Sequence, residues 1–134
     1  MPLVTESEIA ELVDNFYGKI RVDRLLGPIF ATAIGDDWGP HLAKMRAFWS
    51  TVVLGSRTYK GNPMIAHMSL PRLTRGDFDR WLHLWRQTTS ELCIEPVAAL
   101  FIGKAETIAV RLLDGINAYR DSLPEGPGGT LQAG

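Results

Sequence analysis

Trp38-Gly39-Pro40-His41-Leu42-Ala43-Lys44-Met45-Arg46-Ala47-Phe48-Trp49-Ser50-Thr51-Val52-Val53-Leu54-Gly55 is the stretch that decides the fold class. Along it, His41, Met45, Phe48 and Val52 recur at i, i+4, i+7 and i+11, the spacing of one helix face and not the alternation of a strand. Gly35-Asp36-Asp37 just before it is a turn with a candidate N-cap, and Gly55 is a natural stop. A helix is therefore expected over 38–54, with His41 at one end of an apolar stripe.

The same period extends in both directions. Towards the N-terminus, a helix is expected to begin at Thr5 or Ser7, with Glu6, Glu8 and Glu11 near its positive end. Its main stripe is Ile9, Leu12, Phe16 and Ile20, with Val13 and Tyr17 on an adjoining face. Asp23 to Phe30 reads as a tight corner, because Gly27-Pro28 interrupts the pattern. Towards the C-terminus, Ser56 to Asn62 reads as a loop. A short helix carrying His67 follows, in the run Asn62-Pro63-Met64-Ile65-Ala66-His67-Met68-Ser69-Leu70-Pro71. Beyond a Pro-Arg-Leu-Thr-Arg-Gly linker, Phe78, Trp81, Leu82 and Trp85 mark a helix over about 77–93. The last helix opens at Glu95-Pro96, with proline suited to a first turn, and continues through Phe101, Ala105, Ile108, Leu112 and Ile116. The reading is all-α: one domain over 1–121, and a Pro- and Gly-rich tail over 122–134 expected to be disordered.

Composition narrows the function. With 14 basic and 15 acidic residues interspersed, the net charge is −1, so neither a nucleic-acid partner nor an anionic membrane is expected. No apolar run approaches the ~18 residues of a membrane span. Met-Pro-Leu-Val-Thr-Glu-Ser-Glu at the N-terminus has neither the basic nor the apolar region of a secretion signal. Cys93 is the single cysteine, so no intrachain disulfide or cysteine-based metal site can form. Together these features point to a cytoplasmic protein.

The chemistry lies in a few residues. His67, alone on a short apolar segment bracketed by prolines, is suited to holding one imidazole against a hydrophobic cavity, as a five-coordinate haem iron needs. On that segment alone, a histidine satisfied within the core is the commoner outcome. Tyr17 offers a phenolic O–H and Trp81 an indole N–H, two donors that seek partners when buried. Dioxygen on ferrous iron draws negative charge, so donors aimed at it form charge-assisted bonds, each contributing roughly 1.5–3 kcal/mol. Taken singly, both residues also read as ordinary aromatic core. His41 is a candidate donor, proton shuttle or gate, or else a solvent-facing residue in a first turn. His83, two positions from Trp81, falls on a different helix face. Cys93 reads as a small core hydrophobe. Arg46, Tyr59 and Arg72 are candidates for binding haem propionates.

Taken together, the segments running from Phe16-Tyr17 to Phe30, from Trp38 to Trp49, Leu54-Gly55, from Tyr59 to Pro63, from His67 to Leu70 and from Phe78 to Leu84 resemble the truncated haemoglobins, specifically group III. The resemblance covers roughly residues 9–120. It implies a two-over-two helical sandwich enclosing haem b. By matched position, His67 takes the proximal haem-ligand place, Tyr17 the distal B-helix tyrosine, Trp81 the G-helix tryptophan over the ligand and His41 the distal E-helix place. Phe48, Trp49, Tyr59 and Met64 are expected to line the cofactor beside His67.

The expected function is reversible binding of dioxygen and other diatomic ligands (NO, CO), serving oxygen transport or nitric oxide detoxification, in a monomer or weak dimer. The alternative is enzymatic: nitric oxide dioxygenation or peroxidase-type chemistry at the same iron, with His41 as acid–base group. No flavin- or nicotinamide-binding glycine motif is present, so electrons would come from a separate reductase or a small reductant. A third reading, a cofactor-free helical interaction module, predicts a colourless protein.

Overall fold

The computed structural model describes residues 4–63 and 73–122. Met64, His67 and Arg72, like the tail after Ser122, lie outside the described residues.

Five helices are present among them: α1 (Glu6–Val22), α2 (Leu26–Ile34), α3 (Trp38–Leu54), α4 (Arg75–Leu92) and α5 (Glu95–Ser122). Local chemistry accounts for their ends. Thr5 caps α1 in a reciprocal box: its hydroxyl accepts from the Glu8 N–H at 3.1 Å, and the Glu8 carboxylate accepts from the Thr5 N–H at 3.0 Å. Thr74 and Asp77 make the same box at the start of α4, which therefore begins two residues earlier than its apolar stripe suggests. Gly55 ends α3 in the left-handed conformation, φ 69°, which a glycine adopts without steric cost. Asp37 stands at the N-cap of α3, but its side chain makes no capping bond.

The expected corner over 23–30 is corrected by α2, which starts inside it. Pro28 is the third residue of that helix, where its missing N–H is one that no helical carbonyl would have accepted. The Asp23 carboxylate accepts from the N–H groups of Leu25 and Leu26 at 3.2 and 3.0 Å, supplying the start. Gly27 lets α2 lie against the end of α1: a Cβ there would stand 2.9 Å from the Arg21 carbonyl oxygen.

The helices form two antiparallel pairs, one laid on the other. α1 runs against α3, as the Asp14–Arg46 pair and the Glu6–Ser50 hydrogen bond show. α4 runs against α5 across the two-residue turn Cys93-Ile94. α1 also packs on α4, with Lys19 bonded to Thr88 and Glu91, and Asp23 to Arg80. At the centre Trp85 is fully buried between stacked neighbours, Trp49 (4.5 Å between ring centroids, 17°) and Trp81 (6.2 Å, 2°), with the Phe16 ring edge-on at 4.8 Å. Its indole N–H donates to the Phe101 carbonyl at 3.1 Å, which satisfies its one polar atom.

A second cluster gathers Leu73, Phe78, Ala109, Leu112 and Ile116 around α4 and α5. Ile29, Trp81, Leu82 and Ile108 border both clusters. The core is thus split, and the division marks where a cavity opens.

A candidate cofactor cavity

The cavity has a volume of about 450 Å³ and draws its walls from all five helices and from the loop after α3. Leu26, Ile29 and Phe30 line it from α2, and Met45 and Phe48 from α3; Phe78 and Trp81 face them from α4, and Ile108 and Leu112 from α5. Polar groups are few: Tyr17, His41 and Asp77 in the walls, with Lys44, Tyr59 and Asn62. Lys44 is exposed and Tyr59 half-buried. A size within the 300–1,000 Å³ of cofactor pockets, apolar walls and a few convergent polar groups are what binding sites for flat organic guests share. A haem, apolar across its face and carrying carboxylates along one edge, fits this arrangement.

Tyr17, on the inner face of α1, is 5 % exposed. Its ring meets His41 edge-on at 5.0 Å and 88°, Phe30 at 5.8 Å and Trp38 at 6.0 Å. Burial pushes the phenol pKa well above the usual tyrosine range, so Tyr17 keeps its proton and remains a donor at any physiological pH. Trp81 approaches from α4, its ring edge-on to Phe16 at 5.7 Å. His41, half-buried in the first turn of α3, is itself edge-on to Trp38 at 5.6 Å, and the Arg21 guanidinium lies 4.6 Å over the Trp38 ring. A cation over an indole face favours that geometry and steadies the aromatic group around Tyr17.

At the other end, Phe48 packs edge-on against Tyr59 at 5.2 Å. The Tyr59 N–H donates to the Thr51 hydroxyl at 3.0 Å, fixing the loop to α3. Partial burial raises the Tyr59 pKa as well. Gly61 leaves room for the Tyr59 ring: a Cβ there would stand 2.5 Å from the Tyr59 hydroxyl and push that side chain aside. The Ser50 hydroxyl, 2 % exposed, joins the Glu6 carboxylate to the Ser56 hydroxyl at 2.7 Å each and holds the start of this loop.

The structure therefore brings Tyr17, His41, Phe48, Trp49, Tyr59 and Trp81 to one cavity. Trp49 borders it while stacking on Trp85, so it serves the core as much as the wall. Arg46 is not a cavity residue: its guanidinium pairs with Asp14 on α1 at 2.7 Å. Lys44, overlooked in the sequence, borders the cavity in its place. The signal was its position, one turn from His41 on the same helical face, but a lysine there reads first as a solvated one. Asp77, also overlooked, is the buried carboxylate of the wall. His83 is exposed. Cys93 is a half-buried free thiol whose pKa is raised by burial and by Glu8 and Glu11. Among the described residues, no group of three or more His, Cys, Asp or Glu could hold a metal ion, and no helix is long and apolar enough to cross a membrane.

Comparison with known proteins agrees with this geometry. The family model of bacterial-like globins matches residues 4–97. A group 3 truncated haemoglobin of Campylobacter jejuni is 35% identical over an alignment of 109 residues, which covers 79% of this chain and 86% of that protein. The crystal structure of a group III truncated haemoglobin from Campylobacter jejuni superposes with a TM-score of 0.81 at 33% identity, covering 84% of this chain and 91% of that one. Five helices in a two-over-two sandwich, a split core and these matches lead to one conclusion: the chain belongs to the bacterial-like globins, as a truncated haemoglobin of group III.

Proposed function

We propose that the protein binds dioxygen and other diatomic ligands reversibly at haem b, with His67 as the iron ligand and Tyr17 and Trp81 as hydrogen-bond donors to the bound ligand. Globins bind small ligands through haem; the finer assignments rest on this chain's own residues. The observation that supports the two donors is the convergence of a buried, protonated tyrosine and a tryptophan on one apolar cavity; His67 is assigned by its matched position in the sequence.

Haem, when bound, would supply an iron able to take up a small diatomic ligand. Tyr17 donates its O–H to a ligand that carries partial negative charge, and its burial keeps water from competing. The Trp81 indole is the second donor. Ile29, Phe30, Met45 and Phe48 exclude solvent, while Lys44 and Tyr59 are matched to carboxylates at the cofactor's edge. Trp49 and Met64 complete the set expected to hold it.

His41 gives a specific reason to keep the enzymatic reading, nitric oxide dioxygenation or peroxidase-type turnover with electrons from a separate reductase in the cytoplasm. An imidazole edge-on to Tyr17 and lining the same cavity is an acid–base group beside the proposed donor. Substituting His67→Ala tests the iron ligand. The reduced protein should lose its five-coordinate spectrum and regain it on addition of free imidazole. An unchanged spectrum would overturn the assignment.

A further inference from the structure

Asp77 is 9 % exposed and borders the cavity. Charged side chains are almost never buried this deeply unless paired, yet among the described residues Asp77 takes part in none of the four salt bridges. One carboxylate oxygen, Oδ2, accepts from the Thr74 N–H at 2.9 Å and closes the capping box. That box needs only an acceptor, and a neutral amide serves it equally well. The N-terminus of α4 favours this negative charge, but no cationic side chain among the described residues pairs with it. Asp77 stands four residues before Trp81, on the same face of α4, and lines the cavity together with the apolar Leu73, Phe78 and Leu112. Charges in such surroundings act over several ångströms with little screening.

We propose that Asp77 is a redox-tuning residue, whose carboxylate stabilises the oxidised state of the haem held in this cavity. The inference rests on the haem reading above. Ferric haem carries one more positive charge than ferrous haem, so a fixed negative charge beside it opposes uptake of the electron. No proton or bond changes hands.

The test is a spectroelectrochemical titration, with redox mediators, of three haem-loaded variants beside the wild type. Asp77→Asn keeps an acceptor for Thr74 and removes the charge. Its ferric-to-ferrous ratio at a given applied potential should fall about tenfold, a rise in midpoint of about 59 mV for a one-electron couple, with little change in Tm. Asp77→Glu keeps the charge and should hold the wild-type midpoint. Thr74→Ala keeps the carboxylate and loses one capping bond, so it should lower Tm and leave the midpoint in place.

A wild-type midpoint in haem-loaded Asp77→Asn would overturn the inference, leaving Asp77 a cap alone. A midpoint shift in Thr74→Ala as large as that in Asp77→Asn would overturn it too, because the geometry of the helix start would then be the cause. Wild-type protein that takes up no haem would overturn the haem reading itself, and this inference with it.

Discussion

Tyr17 shows how much one side chain's surroundings decide. A phenol at the surface titrates near pH 10; this one is enclosed by Phe16, Phe30, Trp38 and His41, and its pKa is driven upwards by burial. Its donor strength should therefore be insensitive to pH up to about 10, measured as a flat rate of dioxygen escape across that range once other groups are accounted for. Removing the hydroxyl with Tyr17→Phe costs a charge-assisted hydrogen bond, roughly 1.5–3 kcal/mol. Dioxygen escape, followed by stopped flow, should then be about tenfold or more faster; an unchanged rate would make Tyr17 simple core. Trp81→Phe should act in the same direction, and the two effects should not add, since both donors serve one ligand. Tyr17, His41 and Trp81 were singled out in the sequence as polar-tipped residues on or beside apolar stripes, and all three line the cavity. Lys44 and Asp77 were not, because a charge beside a stripe reads as solvent-facing or as a helix start. Arg46 was misplaced for a related reason: its partner Asp14 lies on another helix, and periodicity says nothing about pairing across helices.

The elements were legible wherever period and cap agreed. α1, α3, α4 and α5 each begin or end within about two residues of the expected place. The exception is α2, hidden because glycine and proline usually break helices. Here Asp23 overrides that signal. Its carboxyl is held below the usual carboxylate range, first by the hydrogen bond from Arg80 and further by the N–H groups of Leu26 and Leu25. Because the folded pKa is depressed, the stabilisation is fully present above the unfolded value of about 3.9 and disappears as pH falls through the folded value. Asp23→Ala should destabilise the fold by about 1–2 kcal/mol at neutral pH, from the lost hydrogen bonds to Leu25 and Leu26 and the lost pairing with the half-exposed Arg80. Its acid unfolding curve should also be shallower than the wild type's below about pH 4, as followed by circular dichroism. A variant with wild-type stability and acid response would show that α2 starts without help from Asp23.

For the molecule as a whole, the split core explains why a small globin can enclose a large guest. The Trp49–Trp85–Trp81 stack, with Phe16 and Phe101 against it, holds α1, α3, α4 and α5 together on one side; Phe78, Leu112 and Ile116 close the other. Periodicity revealed both sets of apolar residues but could not show that they form two clusters, since that division depends on how the helices cross. A guest seated between them should stabilise the fold by mass action, about 4.1 kcal/mol when free haem is about 1,000 times its Kd. That corresponds to a rise in Tm on the order of 10–20 °C, readable by differential scanning calorimetry with and without haem. The most direct measurement is the absorption spectrum during titration of haem into the purified apoprotein, followed by reduction and exposure to air. A haem-binding globin should show a sharp Soret band that saturates at about one haem per chain and an oxygenated spectrum that persists in air. A weak, unsaturable band with no distinct oxygenated form would contradict that reading and leave the chain a helical module without a cofactor.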